Sequence, residues 1–288
     1  MQTVRLIREV GAIHCGHRGP YRGQAALQKA LRERKLPWLK IGGRLRPGEL
    51  PWLWSWEDKP LTIKAVVEGT PFVTGPNQLF ENSRRPCRAF GERRICQAAS
   101  CRLIFTESQW YARLIRQQLG PKNRAPIVVW PYPIDPLPGG PLPAECDLMI
   151  YAKGGFEDST VEALTAAFPG ARLVRYGRYR RGRMIELARR SRACAYLSDD
   201  DRGPLALAEI MLAGCPAAGV PRGAPWIADG RTGFRVSDLG AGQLIEAIAR
   251  CHSLDRAEVR HEALARFDAE KTVDTILAGL QLAAEARR

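Results

Sequence analysis

Short aliphatic and β-branched runs, each closed by glycine, proline or an acidic loop and each followed by a stretch of helical period, recur along the chain. That alternation predicts an α/β protein built from Rossmann-like strand-loop-helix units. In the first half, Val4–Ile13 reads as the opening strand, although Arg5, Arg8 and Glu9 interrupt it. A glycine-studded loop follows at His14–Gly23, then a helix from Gln24 to Arg34 with apolar residues at helical spacing. Pro37–Ile41 and Pro51–Trp56 read as strands, Leu61–Glu68 as a helix stopped by Gly69, and Pro71–Thr74 as a buried strand leading into the loop Gly75–Asn77. Tryptophans 38, 52, 54 and 56 are assigned to core and packing rather than to base stacking. Arg102–Ser108, Gln109–Leu119 and Ile127–Asp135 give a strand, a helix and a strand. Proline and glycine then crowd Pro131–Pro143, as in a stiff linker.

The second half restarts the pattern. Cys146–Ala152 is a strand that runs into Lys153-Gly154-Gly155, Ala171–Tyr176 another strand, Met184–Arg192 a basic helix, and Ala193–Leu197 a short buried strand. Helices are expected at Ala241–His252 and from Asp255 to the end, with an amphipathic last segment, Val273–Arg288. No repeat or low-complexity segment interrupts this organisation.

The most informative stretch is Ser198–Pro216, SDDDRGPLALAEIMLAGCP. A strand hands over to the acidic run Asp199–Asp201, Gly203 turns the chain, and Pro204 suits a first helical position, where no amide partner is needed. Gly214 stops the helix and Pro216 prevents its resumption. A strand, a short loop and a helix start make an anion site, because unpaired amides and the helix dipole both favour phosphate. Glu209 falls about 7.5 Å further along the axis at about 1.5 Å per residue, roughly the reach from a diphosphate to a ribose. The plain alternative is a surface carboxylate on an ordinary helix. A metal-binding D-x-D within Asp199–Asp201 is the other alternative, and the helix that follows argues against it.

Loops at the C-terminal ends of strands are where open α/β sheets place their sites. Thr74 and Asn77, with Glu81-Asn82-Ser83 nearby, therefore stand as candidates for a second substrate or as a capping turn. The loop His14–Gly23 does not fit G-x-G-x-x-G, and no acidic residue closes the next strand as in a dinucleotide fold.

At Ser198–Pro216 the chain resembles the family 4 type of GT-B glycosyltransferases, retaining enzymes that use nucleotide sugars. Asp201 and Glu209 match that family's acidic pair separated by seven residues, Ala213–Pro216 its small-Gly-x-Pro ending, and Ile227–Phe234 its I-x-D-G-x-T-G turn. Asp201 stands where the family usually has glutamate. The resemblance implies two Rossmann-like domains facing an interdomain cleft: 1–136 for the acceptor, 144–270 for the donor, and a C-terminal helix, 271–288, crossing back to the N-terminal domain. It implies that Asp201 touches the donor sugar, that Glu209 binds ribose hydroxyls, and that amides near Pro204, Leu205 and Ala206 face sugar and phosphate. Lys153, beside Gly154, takes the place of the family's diphosphate-neutralising base. The usual second lysine is not evident, and Arg175 or Arg178 is the expected substitute. Gly19 and Gly23 are assigned to the acceptor side with Thr74 and Asn77. No metal or other cofactor is expected beyond the donor, for which a UDP-sugar is favoured over a GDP-sugar.

Composition narrows the setting. The chain has 288 residues, 45% of them hydrophobic, enough for real cores. No apolar run approaches the roughly 20 residues of a membrane span, and the N-terminus has no signal-like segment, so a cytoplasmic location is expected. Eight cysteines without a CxxC pair suit reduced, buried thiols. His14, Cys15 and His17 with Cys96 and Cys101 match no common zinc spacing. The net charge of +14, concentrated in arginines such as those of 172–183, attracts polyanions. It motivates two acceptor readings, a hydroxymethylated base in DNA, or a cell-surface glycan or lipid-linked acceptor with peripheral membrane contact. A nonenzymatic nucleic-acid-binding protein is the alternative of another class.

Overall fold

The computed structural model describes residues 1–7, 21–54, 58–76, 80, 86–130, 134 and 139–286. The chain divides into two compact units, residues 1–133 with 269–288, and residues 134–268.

Unit 1 holds a parallel sheet of six strands in the order β2-β1-β3-β4-β5-β6. They are β1 (Val4–Leu6), β2 (Leu39–Ile41), β3 (Leu50–Leu53), β4 (Phe72–Thr74), β5 (Cys101–Thr106) and β6 (Ile127–Val129). Burial on both faces, as in the fully buried β3 and β4, explains why these strands read as apolar runs without alternation. Its helices are α1 (Tyr21–Glu33), α2 (Lys59–Glu68), α3 (Pro86–Gln97), α4 (Gln109–Leu119) and α10 (Ala269–Glu285). Arg5 is buried within β1 and remains charged because Glu49 receives its guanidinium at 2.5 and 2.6 Å. That pairing accounts for the polar interruption of the first strand. Trp52 and Trp54 are wholly buried, and Trp52 donates its indole N–H to Gly75 at 2.6 Å. The last helix belongs to this unit. Its apolar stripe, Val273, Ile276, Leu280 and Ala283, is buried, Gly279 lies against Leu103 and Phe105 of β5, and Arg34 beyond α1 binds Asp274 at 2.8 Å.

Unit 2 holds a parallel sheet in the order β11-β10-β9-β7-β8. Here β7 is Cys146–Gly154, β8 Arg172–Arg175, β9 Ser191–Ser198, β10 Ala217–Gly219 and β11 Gly233–Arg235. The helices are α5 (Asp158–Ala167), α6 (Arg181–Arg189), α7 (Leu205–Leu212), α8 (Ala241–Cys251) and α9 (Arg256–Phe267). Alternate residues of the sheet serve different layers. Leu148, Ile150, Ala193, Ala195 and Leu197 pack with Val161 and Leu164 of α5 and with Leu244, Ala247 and Ile248 of α8. Met149, Tyr151, Cys194 and Tyr196 fall on the alternate positions, which β7 and β9 hold in register.

Several boundaries differ from expectation. Gly23 lies inside α1 rather than in the preceding loop, because the helix starts ahead of its first regularly spaced apolar residue. The basic helix expected at Met184–Arg192 spans Arg181–Arg189. Arginine is a good helix former, and Ser191 is taken into β9 by pairing with Cys146. Helix α3 was hidden by its arginines; Glu92, Ile95 and Cys96, at helical spacing, are its buried face. Among the described residues, cysteines 96, 101, 146, 194, 215 and 251 are free thiols and all are buried. No described helix is long and apolar enough to cross a membrane.

Candidate functional site

Among the described residues, a cluster of charged and phenolic side chains lies at the C-terminal ends of β7 and β9 in unit 2. Strand β9 ends at Ser198, and the Asp199 amide donates to the Gly154 carbonyl at 3.2 Å, tying the acidic run to the end of β7. Gly155 must be glycine there: its φ is +74°, and a Cβ would lie 1.9 Å from Cγ of Asp199. A second close approach fixes the far side of the loop. A Cβ on Gly223 would lie 1.5 Å from the Ser198 carbonyl oxygen, while the neighbouring Arg222 carbonyl accepts the Asp201 amide at 2.9 Å.

Asp201 is thereby held nearly buried, with two donors on one oxygen. Lys153 Nζ lies 2.5 Å from Oδ2, and the Tyr196 hydroxyl donates to the same atom at 2.9 Å. Tyr196 is the register partner of Tyr151, and their rings stack at 4.9 Å with planes 10° apart. The Tyr151 and Tyr179 hydroxyls meet at 3.2 Å. Burial, followed by the Asp201 charge, raises the Tyr196 pKa well above the ordinary phenol value. Burial and then Tyr179 do the same for Tyr151. Both rings therefore stay protonated near neutrality, and Tyr196 remains a donor. Lys153 also lies 5.4 Å from the centre of the Tyr176 ring, within cation–π range.

The second carboxylate sits in α7. Glu209 is 7% exposed, and its Oε1 receives Arg181 Nε at 2.5 Å. Arg181 opens α6 directly after the Tyr176–Arg180 turn. The opposite end of α7 is neutralised by arginines of α9: Arg260 donates to the Leu212 carbonyl and Arg256 to that of Gly214 at 3.1 Å. Gly214, at φ +80°, lies against the Arg256 carbonyl and Pro141, so the helix stop doubles as a packing contact.

The start of α7 requires a correction. Pro204 is the cap, with φ −75° and ψ 82°, and the helix begins at Leu205. These angles are close to an inverse γ-turn, and the Leu205 amide accordingly donates to the Gly203 carbonyl at 2.9 Å. That amide is spent, so it is not available as one of the donors that the resemblance implies near Leu205. Pro204 is itself buried, whereas Leu205 and Ala206 are half-buried.

The other predicted residues separate clearly. Gly154 borders open space, with nothing within 4 Å of a Cβ placed on it. Arg178 is exposed, and its side chain makes no bond among the described residues; three residues on, Arg181 takes the carboxylate. Nothing in the run RYRRGR singles out Arg181 as a sequence, since its partner lies 28 residues away. Tyr196 carries one usable signal in the sequence, its place opposite Tyr151 in adjacent strands. Thr74 ends β4 in unit 1, fully buried, its hydroxyl without a hydrogen-bond partner. Gly23 is helical, and Gly19 and Asn77 lie outside the described residues, as do His14, Cys15, His17 and Asp135. The I-x-D-G-x-T-G stretch is a scaffold turn between β10 and β11. Thr232 Oγ1 accepts the Ala228 amide at 2.9 Å, Asp229 accepts the Arg235 amide at 2.7 Å, and a Cβ on Gly233 would lie 1.8 Å from the Ala217 carbonyl oxygen. No three His, Cys, Asp or Glu side chains converge as a metal site among the described residues.

No protein-family model matches the sequence. A search of curated proteins finds no relative. Solved structures do match along practically the whole chain. A glycosyltransferase involved in avilamycin A biosynthesis, AviGT4, is 15% identical with a TM-score of 0.55 over 99% of both chains. Anabaena Alr3699/HepE in complex with UDP-glucose is 12% identical with a TM-score of 0.68, over 98% of this chain and 100% of that one. Sucrose-phosphate synthase from Thermosynechococcus elongatus is 14% identical with a TM-score of 0.65 over the same shares. At such identities the likeness is one of fold, and the fold it establishes is GT-B, with two Rossmann-like units.

Proposed function

We propose that the protein is a glycosyltransferase that takes a sugar from a nucleotide-diphosphate donor, held by unit 2, to an acceptor hydroxyl. The observation that carries this reading is the pair of cation-bound carboxylates, Lys153 with Asp201 and Arg181 with Glu209, on the strand ends and α7 of unit 2. The GT-B fold supports it, and the complex of the Anabaena protein with UDP-glucose supports a UDP-sugar as donor. In the reaction the anomeric carbon exchanges its bond to the diphosphate for one to the acceptor oxygen; the diphosphate leaves with the bonding pair, and the acceptor hydroxyl's proton passes to the departing phosphate oxygen. Lys153 stabilises that growing negative charge, which is the term a fixed cation serves best. Glu209 takes the ribose hydroxyls, Asp201 holds Lys153 beside the departing group, and the anomeric configuration is retained.

Thr74, at a strand end of unit 1, is assigned to the acceptor side. Transfer to hydroxymethylated but not plain DNA identifies a base acceptor; transfer only to an oligosaccharide or lipid-linked acceptor identifies the glycan reading. The enzyme class is tested first, by a thermal-shift screen against nucleotide sugars. A rise in Tm with UDP-sugars, lost in a folded Glu209→Ala variant, is the expected result. A wild-type protein stabilised by no nucleotide sugar, or a Glu209→Ala variant of full activity, overturns the assignment.

A further inference from the structure

Both carboxylates are the hidden members of their pairs. The side chains of Asp201 and Glu209 are each 9% exposed, against 27% for Lys153 and 32% for Arg181. A buried carboxylate needs its partner to remain ionised, whereas a partly exposed guanidinium with one N–H engaged keeps further donors. Arg181 meets Glu209 through Nε, the atom nearest its stem. The more exposed member of each pair is therefore the cation.

Three further facts tie Arg181 to Lys153. The turn before Arg181 carries Tyr176, whose ring lies under the Lys153 ammonium, and Tyr179, whose hydroxyl reaches Tyr151. Tyr151 stacks on Tyr196, which shares Asp201 Oδ2 with Lys153. The Leu205 amide at the start of α7 is already bonded, which removes one donor of that helix end and enlarges the part left to side chains.

The geometry points to Arg181 as a ligand-binding residue that takes a share of the donor's diphosphate, with Glu209 Oε1 holding its Nε. This rests on the nucleotide-sugar reading and changes it in one respect: the second cation of the site comes from α6. Guanidinium suits the task, since it offers paired N–H groups in a fixed plane to phosphate oxygens.

Calorimetric titration of the full chain with UDP, UMP and uridine separates the possibilities. Arg181→Ala is expected to weaken UDP by about tenfold or more, to weaken uridine little, and to leave UMP between them. Arg181→Lys recovers part of the loss for UDP, and Arg172→Ala, which removes an exposed arginine at the start of β8, changes none of the three affinities. Should Arg181→Ala unfold the protein, Arg181→Gln keeps a donor for Glu209 without the charge and carries the same expectation. Unchanged UDP affinity, or an equal loss for all three ligands, overturns the role of Arg181 and leaves the nucleotide reading standing. A wild-type protein that binds none of them overturns both.

Discussion

Each unit presents the C-terminal edge of a parallel sheet, and the two edges differ in chemistry. In unit 2 the edge carries charges in matched pairs, a phenol on a carboxylate, and glycines wherever two backbones crowd. In unit 1, Trp54 follows β3, Thr74 ends β4 and Ser108 stands two residues beyond β5, each with a buried side-chain donor that lacks a partner among the described residues: Nε1 of Trp54, Oγ1 of Thr74 and Oγ of Ser108. Buried polar groups are nearly always satisfied, so orphans mark either a locally costly packing or a place where a polar molecule completes the set. The described edge of unit 2 thus offers cations paired with carboxylates, and that of unit 1 offers neutral polar groups.

The comparison breaks most severely if unit 2 is prised apart. Gly233→Ala forces a Cβ to within 1.8 Å of the Ala217 carbonyl oxygen at a φ of +149°. It is expected to cost about 3 kcal/mol or more, seen as an early melting step by calorimetry. Next in size, Lys153→Ala is expected to lower kcat about 100-fold in a sugar-transfer assay, with the fold retained. Tyr196→Phe removes one of the two donors on Asp201 and is expected to lower turnover roughly tenfold, the value of a hydrogen bond to a charged group. An equal loss from Ser108→Ala in unit 1 would erase the distinction between the edges.

Alkali gives a smaller, graded effect. Tyr151 and Tyr196 have folded pKa values raised above the unfolded value of about 10. Above that pH the unfolded chain gives up protons that the folded one keeps, so their contribution to stability is intact below about pH 10 and declines as pH rises beyond it. Denaturant midpoints measured from pH 8 to 11 check the sign, and Tyr196→Phe flattens the slope. The smallest effect is expected for Thr74→Val. Removing an unpaired buried hydroxyl changes stability by under about 1 kcal/mol; a selective rise in acceptor KM marks the acceptor side, and no kinetic change marks simple packing.

Much of this was legible in the sequence. The alternation of apolar runs with helical periods located both sheets, and Gln109–Leu119 was recovered to the residue because Ser108 precedes it and Gly120 ends it. The pairing of Asp201 with Lys153 was not legible, although each residue was marked separately, because it depends on how β7 and β9 run side by side. Arg181 was hidden for the opposite reason: the sequence offers many arginines, and only tertiary packing selects one of them. The resemblance at Ile227–Phe234 was real as a pattern, but its residues build a turn.

The buried thiols have a practical consequence. Cys96 and Cys101 lie in unit 1, whereas Cys146, Cys194, Cys215 and Cys251 lie in unit 2. A pulse of alkylating reagent followed by mass spectrometry would thus clock the transient opening of each half separately, with no engineered label, and would report which half a bound nucleotide locks shut.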